Sequence, residues 1–193
     1  MLIAKHRVVR GRTLRSVKLA ALNLRQRDGV TCGPTVVVVA GALLDPGHRA
    51  ALADRAWFDG EQVRVHAEVN RVWPRRLGTT PAGMARALTA RGSSSGVRYR
   101  WRLFRGRRDR LADVRHAVEA SRPVAMLIGR FIPRHWVLIV EISGTEWQCY
   151  EPSSGEVRLV EVAAVRRSRL SGLGYPRPFA FVLPKAETRS ATT

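Results

Sequence analysis

The stretch Gln26-Arg27-Asp28-Gly29-Val30-Thr31-Cys32-Gly33-Pro34-Thr35-Val36-Val37-Val38-Val39 decides how the chain is read. Its first half is turn chemistry around Asp28-Gly29, and its second half opens an apolar run that continues to Leu44. Local rules leave residues 32–44 open between strand and helix. Four successive valines favour a strand by propensity, whereas Pro34 near the front suits a first helical turn. A cysteine becomes a nucleophile when its thiolate is stabilised, and the free N–H groups and dipole of a helix amino terminus do this. If 33–44 is a helix, Cys32 stands at its positive end with Val36 to Val39 as the buried spine behind the site.

A nucleophilic thiolate needs a base, and the base needs an orienting group. His135 opens the most apolar strand of the chain, His-Trp-Val-Leu-Ile-Val-Glu-Ile over 135–142, which places a polar ring at the rim of a sheet. Glu151 ends the next strand, 147–151, after the turn Ser143-Gly144-Thr145. An antiparallel hairpin brings the start of one strand beside the end of the next, so residues 135 and 151 are expected as cross-strand neighbours. Pro152 keeps Glu151 extended.

The other elements follow from the same rules. Residues 48–58 and 60–73 read as helices, the second with Val65, Val69 and Val72 on one face and Trp73 beside them. Thr80-Pro81 starts a further helix carrying Met84 and Leu88, closed by Gly92. Residues 97–103 alternate, with Val97, Tyr99, Trp101 and Leu103 inward and Arg98, Arg100 and Arg102 outward. Asp109 is expected to cap a helix bearing Leu111, Val114 and Val118, and 124–128, 157–162 and 179–183 read as strands. Helices gather in the front half and an antiparallel meander in the back half, so the fold class is α+β. One domain is expected over 25–184, preceded by a basic arm over 1–24 and followed by a disordered tail over 185–193.

The motif set resembles the papain-like cysteine peptidases, and most of all their bacterial branch of bacteriocin-processing, double-glycine leader peptidases and their stand-alone relatives. The residues that carry the resemblance are Gln26 six positions before Cys32, Cys32-Gly33-Pro34 entering a buried helix, Gly78-Thr79-Thr80-Pro81, Pro123-Val124 leading a buried strand, His135-Trp136, and Glu151-Pro152 sixteen positions after the histidine. The resemblance covers roughly residues 24–162. It implies a papain-like fold with a central buried helix packed on the antiparallel sheet. It also implies a peptide or protein substrate and hydrolysis through a Cys32 thioester, with His135 as base, Glu151 orienting it, and Gln26 and the Cys32 N–H forming the oxyanion hole. Two features depart from the pattern. The family usually carries aspartate or asparagine where Glu151 stands, and the chain is expected to be free-standing, without the family's transporter.

Composition adds a question of partners. Of 193 residues, 34 are Lys or Arg against 15 Asp or Glu, a formal net charge of +19, carried almost wholly by arginine. Such a surface attracts polyanions or acidic proteins, and Arg98, Arg100 and Arg102 are the expected contact stripe. A solvated edge strand protected by charge is the simpler account of that stripe. No secretory or membrane-spanning segment is legible, which makes the cytoplasm the expected compartment. Two cysteines exclude an all-cysteine zinc site, and His6, His48, His66 and His116 lack metal-ligand spacing, so neither metal nor cofactor is expected. Cys149 reads as a small buried thiol. Three functions therefore compete: a cysteine peptidase, a transglutaminase- or amidase-type acyl transferase, and a catalytically silent papain-like fold that binds nucleic acid or an acidic partner.

Overall fold

The computed structural model describes residues 19–69 and 78–185. Most of the basic arm, the helical positions Val72 and Trp73, and the tail beyond Lys185 lie outside the described residues. In chain order the elements are α1 Cys32–Leu44, α2 Pro46–Ala51, α3 Arg55–Val69, α4 Pro81–Arg91, β1 Tyr99–Leu103, α5 Ala112–Glu119, β2 Val124–Gly129, β3 Pro133–Ser143, β4 Glu146–Glu151, β5 Glu156–Glu161, α6 Val162–Arg166 and β6 Arg177–Pro184.

Residues 32–44 form a helix despite the valines. Every residue from Cys32 to Leu43 is buried. Burying each valine contributes about 2 kcal/mol, against a helix-propensity deficit of at most about 0.7 kcal/mol, so burial wins. A helix apolar on all sides belongs at the centre of a domain. Thr35 is the polar exception, and its hydroxyl lies 2.7 Å from both the Thr31 carbonyl and Gln62 Oε1.

The six strands form one antiparallel sheet in the order β1-β6-β2-β3-β4-β5. Both faces of its centre are covered. Ala125, Leu127, Trp136, Leu138 and Tyr150 join α1, α3 and α4 in one cluster. Val124, Met126, Ile128, Val137 and Ile139 pack with Val114 and Val118 of α5 in another. Alternate side chains of β2 and β3 thus serve opposite cores, which is why both strands read as unbroken apolar runs. The fold is α+β. Among the described residues no helix is long and apolar enough to cross a membrane.

Several local expectations change. The two helices expected over 48–58 and 60–73 are instead a short α2 and a single α3 that runs through Gly60. The break falls where the Asp54 side chain accepts the N–H groups of Ala56 and Trp57 at 2.9 and 3.2 Å, starting a new helix there. Asp109 does not cap α5. It accepts the Leu111 and Arg105 N–H groups and pairs with Arg102 at 2.6 Å. The helix starts after Leu111, which has φ 55°.

The stripe on β1 is corrected most. Val97 and Tyr99 are buried as expected, but Trp101 is 45% and Leu103 64% exposed. Arg102 has turned inward between Asp109 and Asp113, with its guanidinium 5.0 Å from the Phe181 ring centre. β1 lies at the sheet edge and pairs only with β6, so its outer end lacks the cover that would bury Trp101 and Leu103. Two carboxylates reward burial of Arg102 more than water does. Only Arg98 and Arg100 remain on the exposed stripe.

Candidate active site

Three segments meet at one end of the sheet. The loop before Cys32 is held from both sides. Gln62 of α3, fully buried, accepts the Arg27 N–H at 3.1 Å and donates to the Arg25 carbonyl at 3.3 Å. On the other side, the Gln26 N–H donates to the Pro152 carbonyl at 2.8 Å and the Tyr150 hydroxyl to the Leu24 carbonyl at 2.6 Å. The nucleophile loop and the β4–β5 turn are therefore one unit, and Leu19 and Leu24 of the expected arm are buried in the core. Cys32 opens α1 and is 3% exposed, and the Thr31 side chain makes no capping bond.

His135 Nε2 lies 2.7 Å from Glu151 Oε1. The β3–β4 register pairs Leu138 with Tyr150, which extends to place 135 diagonal to 151 on one face of the hairpin. Glu151 spans its extra methylene because the turn holds it. Its Oε1 also accepts the Ser153 N–H at 2.8 Å and its Oε2 the Ser154 N–H at 2.9 Å. Burial would raise this carboxyl, but the hydrogen bonds from His135, Ser153 and Ser154 hold it well below the usual carboxylate range.

The Cys32 thiol stands close enough to the His135 ring to act on its titration. With Nε2 on Glu151, Nδ1 is the nitrogen left for the sulfur. Burial alone would lower the histidine, yet Cys32 and Glu151 override it and push its pKa up to about 9. The Tyr175 ring lies 5.9 Å from the imidazole.

Cys32 and Tyr175 border a cleft of about 560 Å3, of the size that takes a small ligand or a few residues of peptide. Cys32, Gly29 and Val30 line one side, Gly78 to Pro81 another, and Ile132 to Arg134, Trp136 and Tyr175 the third. Trp136 donates its indole N–H to the Thr79 carbonyl at 2.8 Å, as expected of a cleft wall beside His135. Gly33 has a packing reason: a Cβ there would stand 2.5 Å from Thr79 Oγ1, so only glycine lets this wall close on the helix start.

Gln26 is placed differently from the expectation. Its side-chain amide donates to the Asp28 carbonyl and its Oε1 accepts from the Ser153 hydroxyl at 3.4 Å, and it does not line the cleft. The Asp28-Gly29 turn offers that carbonyl in place of open space. Cys149 is fully buried, and burial pushes its thiol up to about 12, an inert thiol. Among the described residues no cluster of His, Cys, Asp and Glu could hold a metal ion.

Sequence reasoning missed Gln62, Tyr175 and the place of Arg134 on the cleft lining. Gln62 had a signal: it occupies the buried phase of α3 together with Phe58, Val65 and Val69. Tyr175 had none, since it lies in a loop far from the motif.

No protein-family profile matches the chain, and neither does any curated protein. Among solved structures the chain is similar to a double-glycine motif protease from an AMS/PCAT transporter in complex with the leader peptide. That likeness has 11% identity and a TM-score of 0.45, over 84% of this chain and 89% of that one. It is also similar to the peptidase domain of Streptococcus ComA, a bifunctional ABC transporter involved in quorum sensing, with 14% identity and a TM-score of 0.46 over 84% and 97% of the two chains. A third is the Pseudomonas avirulence protein AvrPphB, with 13% identity and a TM-score of 0.44 over 86% and 98%.

Proposed function

We propose that the protein is a papain-like cysteine peptidase that cleaves a peptide bond through a thioester on Cys32. The observation that carries this reading is Cys32 at the start of a buried helix and on the edge of an open cleft, beside a His135 ring that Glu151 holds at 2.7 Å. Glu151 fixes the ring and favours its protonated form, and the imidazolium in turn favours the thiolate.

In the reaction the Cys32 sulfur attacks the scissile carbonyl carbon, and the electron pair moves onto its oxygen. The Cys32 N–H is one donor to that oxyanion. Gln26 becomes the second by exchanging the Asp28 carbonyl for it, a rotation of an amide already anchored through its backbone at Pro152. His135 gives its proton to the leaving amine and the C–N bond breaks. It then takes a proton from water, which attacks the thioester and frees the acid and the thiolate.

Iodoacetamide labelling tests the nucleophile. Cys32 should alkylate fast near neutral pH, with Cys149 unlabelled, and peptide cleavage should stop in proportion to labelling. Slow labelling of Cys32, or cleavage that survives it, overturns the proposal. Product analysis with and without added amine distinguishes hydrolysis from acyl transfer. Arg98 and Arg100 support a second, weaker role in attracting polyanions, which the net charge favours.

A further inference from the structure

The cleft carries one sign of charge, and only on one side. Of the residues that line it, Arg134 alone is charged. It precedes His135 in β3 and is exposed. Arg130 and Arg177 stand nearby, since Gly129 pairs with both Pro133 and Arg177. Arg130 lies over the Phe131 ring at 5.5 Å. Among the described residues none of these three guanidiniums meets a carboxylate, whereas Arg64, Arg91, Arg102 and Arg158 all do. The facing walls, Gly29-Val30 and Gly78 to Pro81, are neutral. Asp28, next to Gly29, does not line the cleft, and its carboxylate accepts the Val30 N–H at 2.9 Å. Leu127, Ile132, Trp136 and Tyr175 make the rest of the lining apolar or aromatic. A chain lying in this cleft therefore meets a cationic wall along the β2–β3 hairpin, and that wall has no internal anion to satisfy it.

We propose that the cleft selects peptides bearing an aspartate or glutamate close to the scissile bond, with Arg134 as the specificity-determining residue and Arg130 and Arg177 extending its field. The proposal rests on the peptidase reading for cleavage, though not for binding.

The test measures binding and turnover separately. Fluorescein-labelled glycine- and alanine-rich peptides with one central Glu, Gln or Lys are titrated by anisotropy against the full chain carrying Cys32→Ser. The Glu peptide should bind about tenfold tighter than the Gln peptide, as a charge-assisted guanidinium–carboxylate contact warrants. Arg134→Ser should erase that difference, and Arg134→Glu should reverse it in favour of the Lys peptide. Arg115→Ser removes the same charge at the β3–β4 turn, where Arg115 donates to the Gly144 carbonyl, about 30 Å from Arg134 along β3, and should change the ratio less than twofold. Equal loss from Arg115→Ser, a preference that survives Arg134→Glu, or no measurable binding of any peptide overturns the proposal. With Cys32 present, the kcat/KM ratios should follow the same order. Charge-selective binding without cleavage would sink the peptidase reading and leave this one standing, and cleavage indifferent to charge would do the reverse.

Discussion

Two buried ion pairs sit in this sheet and behave differently. His135 and Glu151 meet at 2.7 Å beside the cleft. Arg102 meets Asp109 and Asp113, each at 2.6 Å, where β1 passes α5. Both hold their carboxylates below the usual range against the cost of burial. The cation makes the difference. A guanidinium cannot lose its proton, so the second cluster can only fasten the loop over residues 104–111 to the edge of the sheet. An imidazole can, and the Cys32 thiol beside it borders the cleft. Similar geometry thus fastens at one site and reacts at the other, according to whether the proton can leave.

The largest effect should come from the reactive pair. Cys32→Ala or His135→Ala should lower kcat/KM by about a thousandfold or more, with urea midpoints near wild type. A residual rate within tenfold of wild type breaks the comparison. Next is the fastening pair: Arg102→Ala should cost about 2 to 3 kcal/mol, below the range for fully buried pairs because Asp113 is partly exposed. Turnover per folded molecule should stay unchanged, and a selective loss of turnover would show that this cluster is more than a fastener.

Glu151 lies between these extremes. Glu151→Ala should lower kcat/KM about a hundredfold and Glu151→Gln about tenfold, because an amide oxygen can still accept the ring N–H. Equal wild-type rates for both would make Glu151 structural.

The pH profile sharpens the same point. With a folded pKa raised from 6.5 to about 9, the stability His135 contributes is fully present below about 6.5 and lost as pH rises through about 9. Acylation should fall over the same alkaline limb as the proton for the leaving amine is lost. Glu151→Gln should move that limb to lower pH, and a limb that stays put removes Glu151 from the control of the ring. The smallest effect belongs to the open stripe. Arg98→Ser with Arg100→Ser should change stability by less than about 0.5 kcal/mol and leave iodoacetamide kinetics intact, while weakening salt-sensitive heparin binding. Unchanged heparin binding would leave the two as solvated edge residues.

The comparison also explains what was legible in the sequence. The strand at His135 and the turn after Glu151 depend on local pattern and on contacts within one hairpin, so their residue types announce them, whereas the valines of 36–39 leave the helix at Cys32 open until burial decides it. Arg102 looked like its neighbours Arg98 and Arg100, because nothing within residues 97–103 reveals that Asp109 and Asp113 fold back over only one of the three. The exposure of Trp101 and Leu103 has the same origin: alternation assigns faces, but a partner element must exist to cover them. The role expected of Gln26 came only with the family resemblance, and a carbonyl two residues away holds its amide.

The ties between the nucleophile loop and the β4–β5 turn have a consequence for synthesis. Leu24 waits for Tyr150, Gln26 for Pro152 and Cys32 for His135, partners more than a hundred residues later in the chain. On a ribosome adding about 5–20 residues each second, Glu151 emerges on the order of ten seconds after Cys32. Until then the thiol has neither base nor fixed loop, and a nascent or truncated chain lacking the last strands should be inert towards neighbouring proteins. Chemical competence arrives with the C-terminal half, so the order of translation itself guards the nucleophile.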